Sequence, residues 1–192
     1  MKFLIVGLGN PGNEYSHTRH NIGFDVVHAF VSKNGGNFKT GRLAYVAEIR
    51  RKGKIFVCIC PTTYMNESGK AVKYWIDKEK IALENLLVIV DEVALPLTRL
   101  RLRPGGSDGG HNGLKSIHES LGTTAYPRLR FGIGNNYPKG MQSDYVLGKW
   151  YREDEPLVRL KIEGAVEVIE AFAMSGITIA MNKVNHMEFS VE

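Results

Sequence analysis

Two side chains set the chemistry to look for. His20 stands in Thr18-Arg19-His20-Asn21, where the first long helical pattern begins, and Asp91 ends the apolar run Leu86-Leu87-Val88-Ile89-Val90. Histidine, with an ordinary pKa of about 6.5, is suited to taking a proton at neutral pH. An aspartate at the end of a buried strand can orient an imidazole and stabilise its cation. Alone, His20 reads as an exposed histidine at a helix start, and Asp91 as a cap. Three asparagines change the balance. Asn10, Asn66 and Asn112 each follow a strand and a loop. Each alone reads as a helix N-cap. Gathered at one sheet edge beside a His–Asp pair, they form a polar clamp. An amide side chain donates and accepts, so three can grip a peptide backbone or a developing oxyanion.

Two motifs point elsewhere. Gly7-Leu8-Gly9-Asn10-Pro11-Gly12 follows the strand Phe3-Leu4-Ile5-Val6 and matches the G-x-G-x-x-G of dinucleotide-binding folds. No amphipathic helix opens directly after it, Pro11 removes a backbone N–H, and no clear acidic residue ends a second strand about 20 residues on. The loop reads as a support for Asn10 and His20, with an NAD-dependent oxidoreductase as the alternative. Gly105-Gly106-Ser107-Asp108-Gly109 matches the G-x-S-x-G nucleophile elbow, which would make Ser107 an acylating serine with Asp144 and His186 as partners. The extra glycines favour a mobile or phosphate-hugging loop instead. No metal is expected: His17, His20 and His111 are not at i, i+4 on one helix, and H-E-x-x-H is absent.

A basic surface is the third signal. Arg99, Arg101 and Arg103 alternate with Leu100 and Leu102, and Arg128 and Arg130 alternate with Leu129 and Phe131. Period two places the arginines on one face. The plain reading is a solvated sheet face. Five arginines with no acid interleaved read better as a phosphate-binding surface, extended by Lys115. A non-catalytic RNA-binding protein would use that face alone. The whole chain is mildly basic, with 25 Lys+Arg against 20 Asp+Glu and a net charge of +5. That balance permits an anionic partner without requiring one.

The elements that must position these residues alternate between strand and helix. Strands are expected at 2–7, 44–50, 54–60, 86–90, 98–103 and 128–134, and helices at 21–33, 67–77, 112–121 and 153–174. The pattern predicts an α/β fold: a single domain over residues 1–186, a twisted mixed β-sheet flanked by helices on both faces, and a flexible tail at 187–192. Cys58 and Cys60 lie two apart on one strand, a spacing that suits neither a disulfide framework nor a zinc knuckle. Met1-Lys2-Phe3 runs straight into a strand, and no apolar run approaches the roughly 20 residues of a membrane span. A cytoplasmic protein with no membrane contact is expected.

The motifs also match a family. Gly7-Leu-Gly-Asn-Pro-Gly12, Tyr15-x-x-Thr-Arg-His-Asn-x-Gly23, Pro61-x-Thr-Tyr-Met-Asn-x-Ser-Gly69, Asp91-Glu92, Gly109-Gly-His-Asn-Gly-Leu114 and Arg128-Leu-Arg-x-Gly-Ile-Gly134, in this order, resemble the bacterial-type peptidyl-tRNA hydrolases. The resemblance runs on through Tyr145-Val-Leu and Ala180-Met-Asn182, over nearly the whole chain. It implies a typically monomeric enzyme, with no cofactor and no obligatory protein partner, that cleaves the ester joining a peptide to the 3′ end of tRNA. It implies His20 as the base that activates water, oriented by Asp91. It implies Asn10, Met65, Asn66, His111 and Asn112 as holders of the peptide and its carbonyl, Tyr15 as a neighbour of the ester, and Arg103 and Arg130 as a clamp on a tRNA phosphate. The chain departs from the family pattern at Cys60 and Arg103, where lysines are usual, at Val93-Ala94 in place of Leu-Asp, at His28 in place of an acid, and at Asp108 in the glycine loop. Those departures bear on RNA affinity rather than on the His20–Asp91 pair.

Overall fold

A computed structural model describes all residues, Met1–Glu192. In chain order the elements are β1 (Lys2–Gly7), α1 (Ile22–Lys33), β2 (Lys39–Gly41), β3 (Ala44–Arg51), β4 (Lys54–Pro61), α2 (Ser68–Glu79), β5 (Leu86–Glu92), β6 (Leu100–Arg103), α3 (Asn112–Leu121), β7 (Arg128–Gly132), α4 (Gln142–Val146), α5 (Glu155–Ser175) and α6 (Ile177–Val184). Short 3₁₀ turns at Asn13–Tyr15, Arg19–Asn21 and Met65–Glu67 join them.

The seven strands form one mixed sheet in the order β2-β3-β4-β1-β5-β7-β6. The inner strands β4, β1, β5 and β7 run parallel, and the pairs β2–β3, β3–β4 and β6–β7 are antiparallel. The central strands β1, β4 and β5 are mostly apolar because both of their faces are covered. Phe3, Ile5, Leu87, Ile89, Phe56 and Cys58 face α1, α5 and α6, while Leu4, Val6, Val57, Ile59, Val88 and Val90 face α2 and α3. Helices thus cover both faces, as the sequence pattern predicts. No helix is long and apolar enough to cross a membrane.

From β1 the chain moves one way across the sheet through α1, and from β4 it returns over β1 through α2 to β5. The carboxyl ends of β1 and β5 therefore flank a switch point, where open α/β sheets bind ligands. Two glycines draw α1 onto β1 there. A Cβ on Gly7 would lie 2.2 Å from the Gly23 carbonyl oxygen, and one on Gly23 would lie 2.5 Å from the Leu8 nitrogen. This backbone contact brings the turn at Arg19–Asn21, which carries His20, to the end of β1.

Several boundaries differ from expectation. The strand expected from residue 98 begins at Leu100. Arg99 instead closes a turn on Pro96, and its Nη2 donates to the Asn185 carbonyl at 3.0 Å. Gly176, at φ 86°, ends α5 and separates off α6. Within the stretch 187–192, expected as a flexible tail, Phe189 is anchored. Phe189 is buried against Gly164, and its N–H donates to the Thr98 carbonyl at 2.9 Å. Just before it, the Asn185 amide imitates a strand partner along the outer side of β6. Leu102 N–H donates to Asn185 Oδ1 at 2.7 Å, and Asn185 Nδ2 donates to the Leu102 carbonyl at 3.0 Å.

Candidate active site

A cavity of about 430 Å³ opens at the switch point, lined by Asn10, His20, Met65, Asn66, Asp91, His111 and Asn112 among others. Residues far apart in sequence meet because β1, β5 and the loops before α2 and α3 all end at this edge. Its centre is a buried carboxylate between two imidazoles. His20 Nδ1 lies 3.0 and 2.9 Å from the two Asp91 oxygens, and His111 Nε2 lies 2.8 Å from Asp91 Oδ1. The rings of His20 and His111 stand 5.0 Å apart.

The hydrogen bonds assign the protons. Asp91 accepts, so His20 carries its proton on Nδ1 and leaves Nε2 without a partner in a residue that lines the cavity. Burial pulls the His20 pKa down, but the Asp91 charge and hydrogen bond outweigh it, and the net shift is upward from 6.5. Burial pushes the Asp91 carboxyl up, but the two histidines override that and hold it well below the usual carboxylate range. His111 also caps α3: its Nδ1 accepts from the N–H groups of Gly113 and Leu114 at 3.1 and 3.4 Å. Asn112 is therefore not the cap; it sits exposed at the cavity rim. His20, Asp91 and His111 hold enough donor atoms close together for a metal ion. Here Asp91 instead accepts a ring N–H from each histidine.

Asn10 is more constrained than its amide suggests. Its backbone N–H donates to Asn21 Oδ1 at 2.8 Å, and its carbonyl accepts from Asn21 Nδ2 at 2.9 Å. Its side-chain oxygen accepts the Met65 N–H at 2.8 Å. The NH₂ has no partner, so Asn10 is free to donate both of its side-chain hydrogens to a ligand. These bonds also explain why the glycine motif is no dinucleotide cradle. The Leu8 N–H is spent on the Ile89 carbonyl, the Asn10 N–H on Asn21, and Pro11 has none. Asn66 is exposed on the cavity wall, and Met65 is buried beneath it. Tyr15 does not line the cavity; its carbonyl accepts the Thr18 hydroxyl in the turn before His20.

The arginine face needs correction. Arg128 is fully buried, donating to the carbonyls of Thr124 and Gly106 at 2.5 and 3.0 Å, and so supports the glycine loop. Arg130 pairs with Glu92 Oε1 at 2.7 Å, an acid that the strand alternation did not place on that face. Its other nitrogen donates to the Ser107 carbonyl at 2.7 Å. Arg101 is exposed, and Arg103 is half-exposed with only the carbonyl of its neighbour Leu102 as partner. Arg101, Arg103 and exposed Lys115 have no acidic partner, whereas Arg130 would have to share its guanidinium with Glu92. Ser107 is exposed in the loop, and no histidine is bonded to its hydroxyl. Asp108 closes the turn by accepting the Gly110 N–H at 2.8 Å.

Part of the wall was not foreseen. Tyr64, Gln142, Ser143, Val146 and Leu147 also line the cavity, four of them from the segment around α4. Buried Arg19 holds that segment in place. Its guanidinium lies 4.0 Å from the Tyr145 ring centre and 4.7 Å from that of Tyr151, and its Nη1 donates to the Tyr145 carbonyl at 3.0 Å. The aromatic residues after Tyr137 were the available signal. Cys60 and His28 line a separate cavity of about 380 Å³ across Asn10, beside Asp25, whose carboxyl is pushed up to about 6 by burial against the pull of His17.

Residues 4–192 match the family described as peptidyl-tRNA hydrolase. A peptidyl-tRNA hydrolase of Parabacteroides distasonis is 52% identical over 186 residues, spanning 97% of this chain and 100% of its own. One from Cytophaga hutchinsonii is 49% identical over 185 residues, spanning 96% of this chain and 98% of its own. The crystal structure of a peptidyl-tRNA hydrolase from Acinetobacter baumannii matches at 35% identity with a TM-score of 0.92, covering 97% of this chain and 95% of that one.

Proposed function

This chain belongs to the peptidyl-tRNA hydrolase family, and from that premise we propose how its cavity cleaves the ester between a peptide and the 3′ end of tRNA. The observation that carries the reading is the free Nε2 of His20, in a ring whose other nitrogen is fixed on a buried carboxylate. Nε2 takes a proton from water as the water oxygen bonds the ester carbonyl carbon. Asp91 stabilises the imidazolium and does not take its proton. The tetrahedral oxyanion receives the NH₂ of Asn10, the one group on that residue left to donate. Collapse breaks the bond to the ribose oxygen, and His20 returns its proton to that oxygen. The products are a free peptide acid and a tRNA hydroxyl, with one water consumed.

An ester is activated enough for one base and one water, so the path needs no covalent intermediate and no cofactor. Asn66 and Asn112 at the rim hold backbone amides, which reads a peptide without reading its side chains. The enzyme acts in the cytoplasm, where it frees tRNA from chains that left the ribosome early. The purified protein is expected to release the acyl group from N-blocked aminoacyl-tRNA and to leave free aminoacyl-tRNA intact. Binding of tRNA without any release would make the chain an RNA-binding module and sink the hydrolytic reading.

The arginines supply the RNA side. Phosphate contacts position a nucleic acid without reading its bases. Arg103 is the cleaner probe, because Arg130 also holds Glu92 and the glycine loop. With Arg103→Ala, KM for tRNA substrates is expected to rise, and its log–log salt dependence to flatten by about 0.7–0.9 for the one lost contact. Turnover at saturation stays nearly constant, since a distant phosphate contact is alike in ground and transition states. Steady-state kinetics across a salt series measures both; an unchanged salt slope removes Arg103 from the RNA interface.

A further inference from the structure

We propose that His111 is a positioning residue, tying the N-terminus of α3 to the Asp91 carboxylate and through it fixing His20, rather than a contact to the peptide. This rests on the reading of His20 as the base. A histidine that grips substrate needs a free ring nitrogen, and His111 has none. Nδ1 accepts two backbone N–H groups, so in the neutral ring the proton is on Nε2, and Nε2 donates to Asp91 Oδ1. One ring thereby bridges a helix start and a buried carboxylate.

The bridge does two things. It fixes the plane of the carboxylate, since Oδ1 is shared between both histidines while Oδ2 meets His20 alone. It also divides the charge of Asp91 between two donors, so that His20 receives only part of it. The other charged groups nearby are already engaged: Glu92, next on β5, is paired with Arg130, and Asp108, in the loop before α3, accepts the Gly110 N–H. From α3 itself, the approaching groups are backbone N–H. Asp91 has no third side-chain donor to replace His111.

The two duties of His111 can be separated. His111→Asn keeps a side-chain oxygen for capping α3 but is too short to reach Asp91. Without that donor the carboxylate holds the His20 proton more tightly, so His20 stays protonated to higher pH. The acid limb of kcat/KM on N-blocked aminoacyl-tRNA is expected to move up by about half a pH unit or more. Turnover at neutral pH falls about 10-fold from the lost base and its loosened orientation, with KM within about 2-fold of the parent. His111→Gln, long enough to return an amide N–H to Asp91, brings the limb back toward the parent position, and it carries the test if the asparagine variant does not fold. A raised KM with an unmoved acid limb in the asparagine variant overturns the proposal and makes His111 a peptide contact. So does a glutamine variant whose limb stays displaced. Failure of the underlying reading looks different: the parent itself would show no acid limb, or His20→Ala would remain active.

Discussion

His20→Ala lowers turnover by about 10²–10⁴-fold and leaves tRNA binding close to the parent value. The size follows from the role: the variant loses the only group in the cavity whose free nitrogen can take a proton from water near neutral pH. Binding is expected to be spared because the proposed contacts to RNA lie on β6, β7 and α3, away from the turn that carries His20. The parent enzyme is expected to carry the matching signature in its pH profile. With His20 as the proposed base, the reaction needs it neutral, so kcat/KM is expected to rise with pH through the pKa of that residue. Burial alone would place that rise below 6.5, whereas the Asp91 charge and hydrogen bond place it above. A pH series on the parent and single-turnover assays on the variant measure both. Near-parental turnover in His20→Ala removes the residue from the mechanism.

Asp91→Asn is expected to cost nearly as much, about 10²–10⁴-fold in turnover, for a different reason. An asparagine can face Nδ1 of His20 with its NH₂. That contact makes Nδ1 the acceptor and moves the ring proton to Nε2, the nitrogen that must be free. The imidazolium also loses its counter-charge. The pH profile separates this from a loss of folding. With the carboxylate gone, the remaining influence on His20 is burial, which lowers its pKa, so the acid limb moves to lower pH even as the plateau collapses. Folded variant protein with parental turnover would show that Asp91 is only a structural partner of α3.

Much of this site can be read without coordinates. The apolar run at Leu86–Val90 has to be a strand covered on both faces, so Asp91 has to sit at its edge. Asn10 follows from the same logic at β1. The parts that stayed hidden share a cause. Alternation tells which way a side chain points but not what covers it. Arg128 and Arg130 do lie on one face, yet one is sealed under the loop at 104–111 and the other meets Glu92 from the neighbouring strand. Whether His111 or Asn112 caps α3 depends on one residue of register at a helix start, where Asn is the better cap by type. The segment around α4 has no periodicity of its own; it is held by the aromatic and hydrogen-bond contacts of Arg19 and by the Tyr145 hydroxyl on the Ile133 carbonyl.

The last residues of the chain have a consequence for how the protein keeps to itself. β6 ends the sheet, and a bare outer strand is a template for pairing with another chain. At the opposite edge β2 is only three residues long and carries Lys39, a poor template. β6, four residues with Arg101 and Arg103, is also short and charged, and the Asn185 amide further occupies its outer hydrogen-bonding side at Leu102. A chain that stops short of Asn185 therefore keeps every residue lining the cavity at the switch point and uncovers the outer side of β6 at Leu102. In such a truncation, self-association is expected to rise while the cavity stays intact.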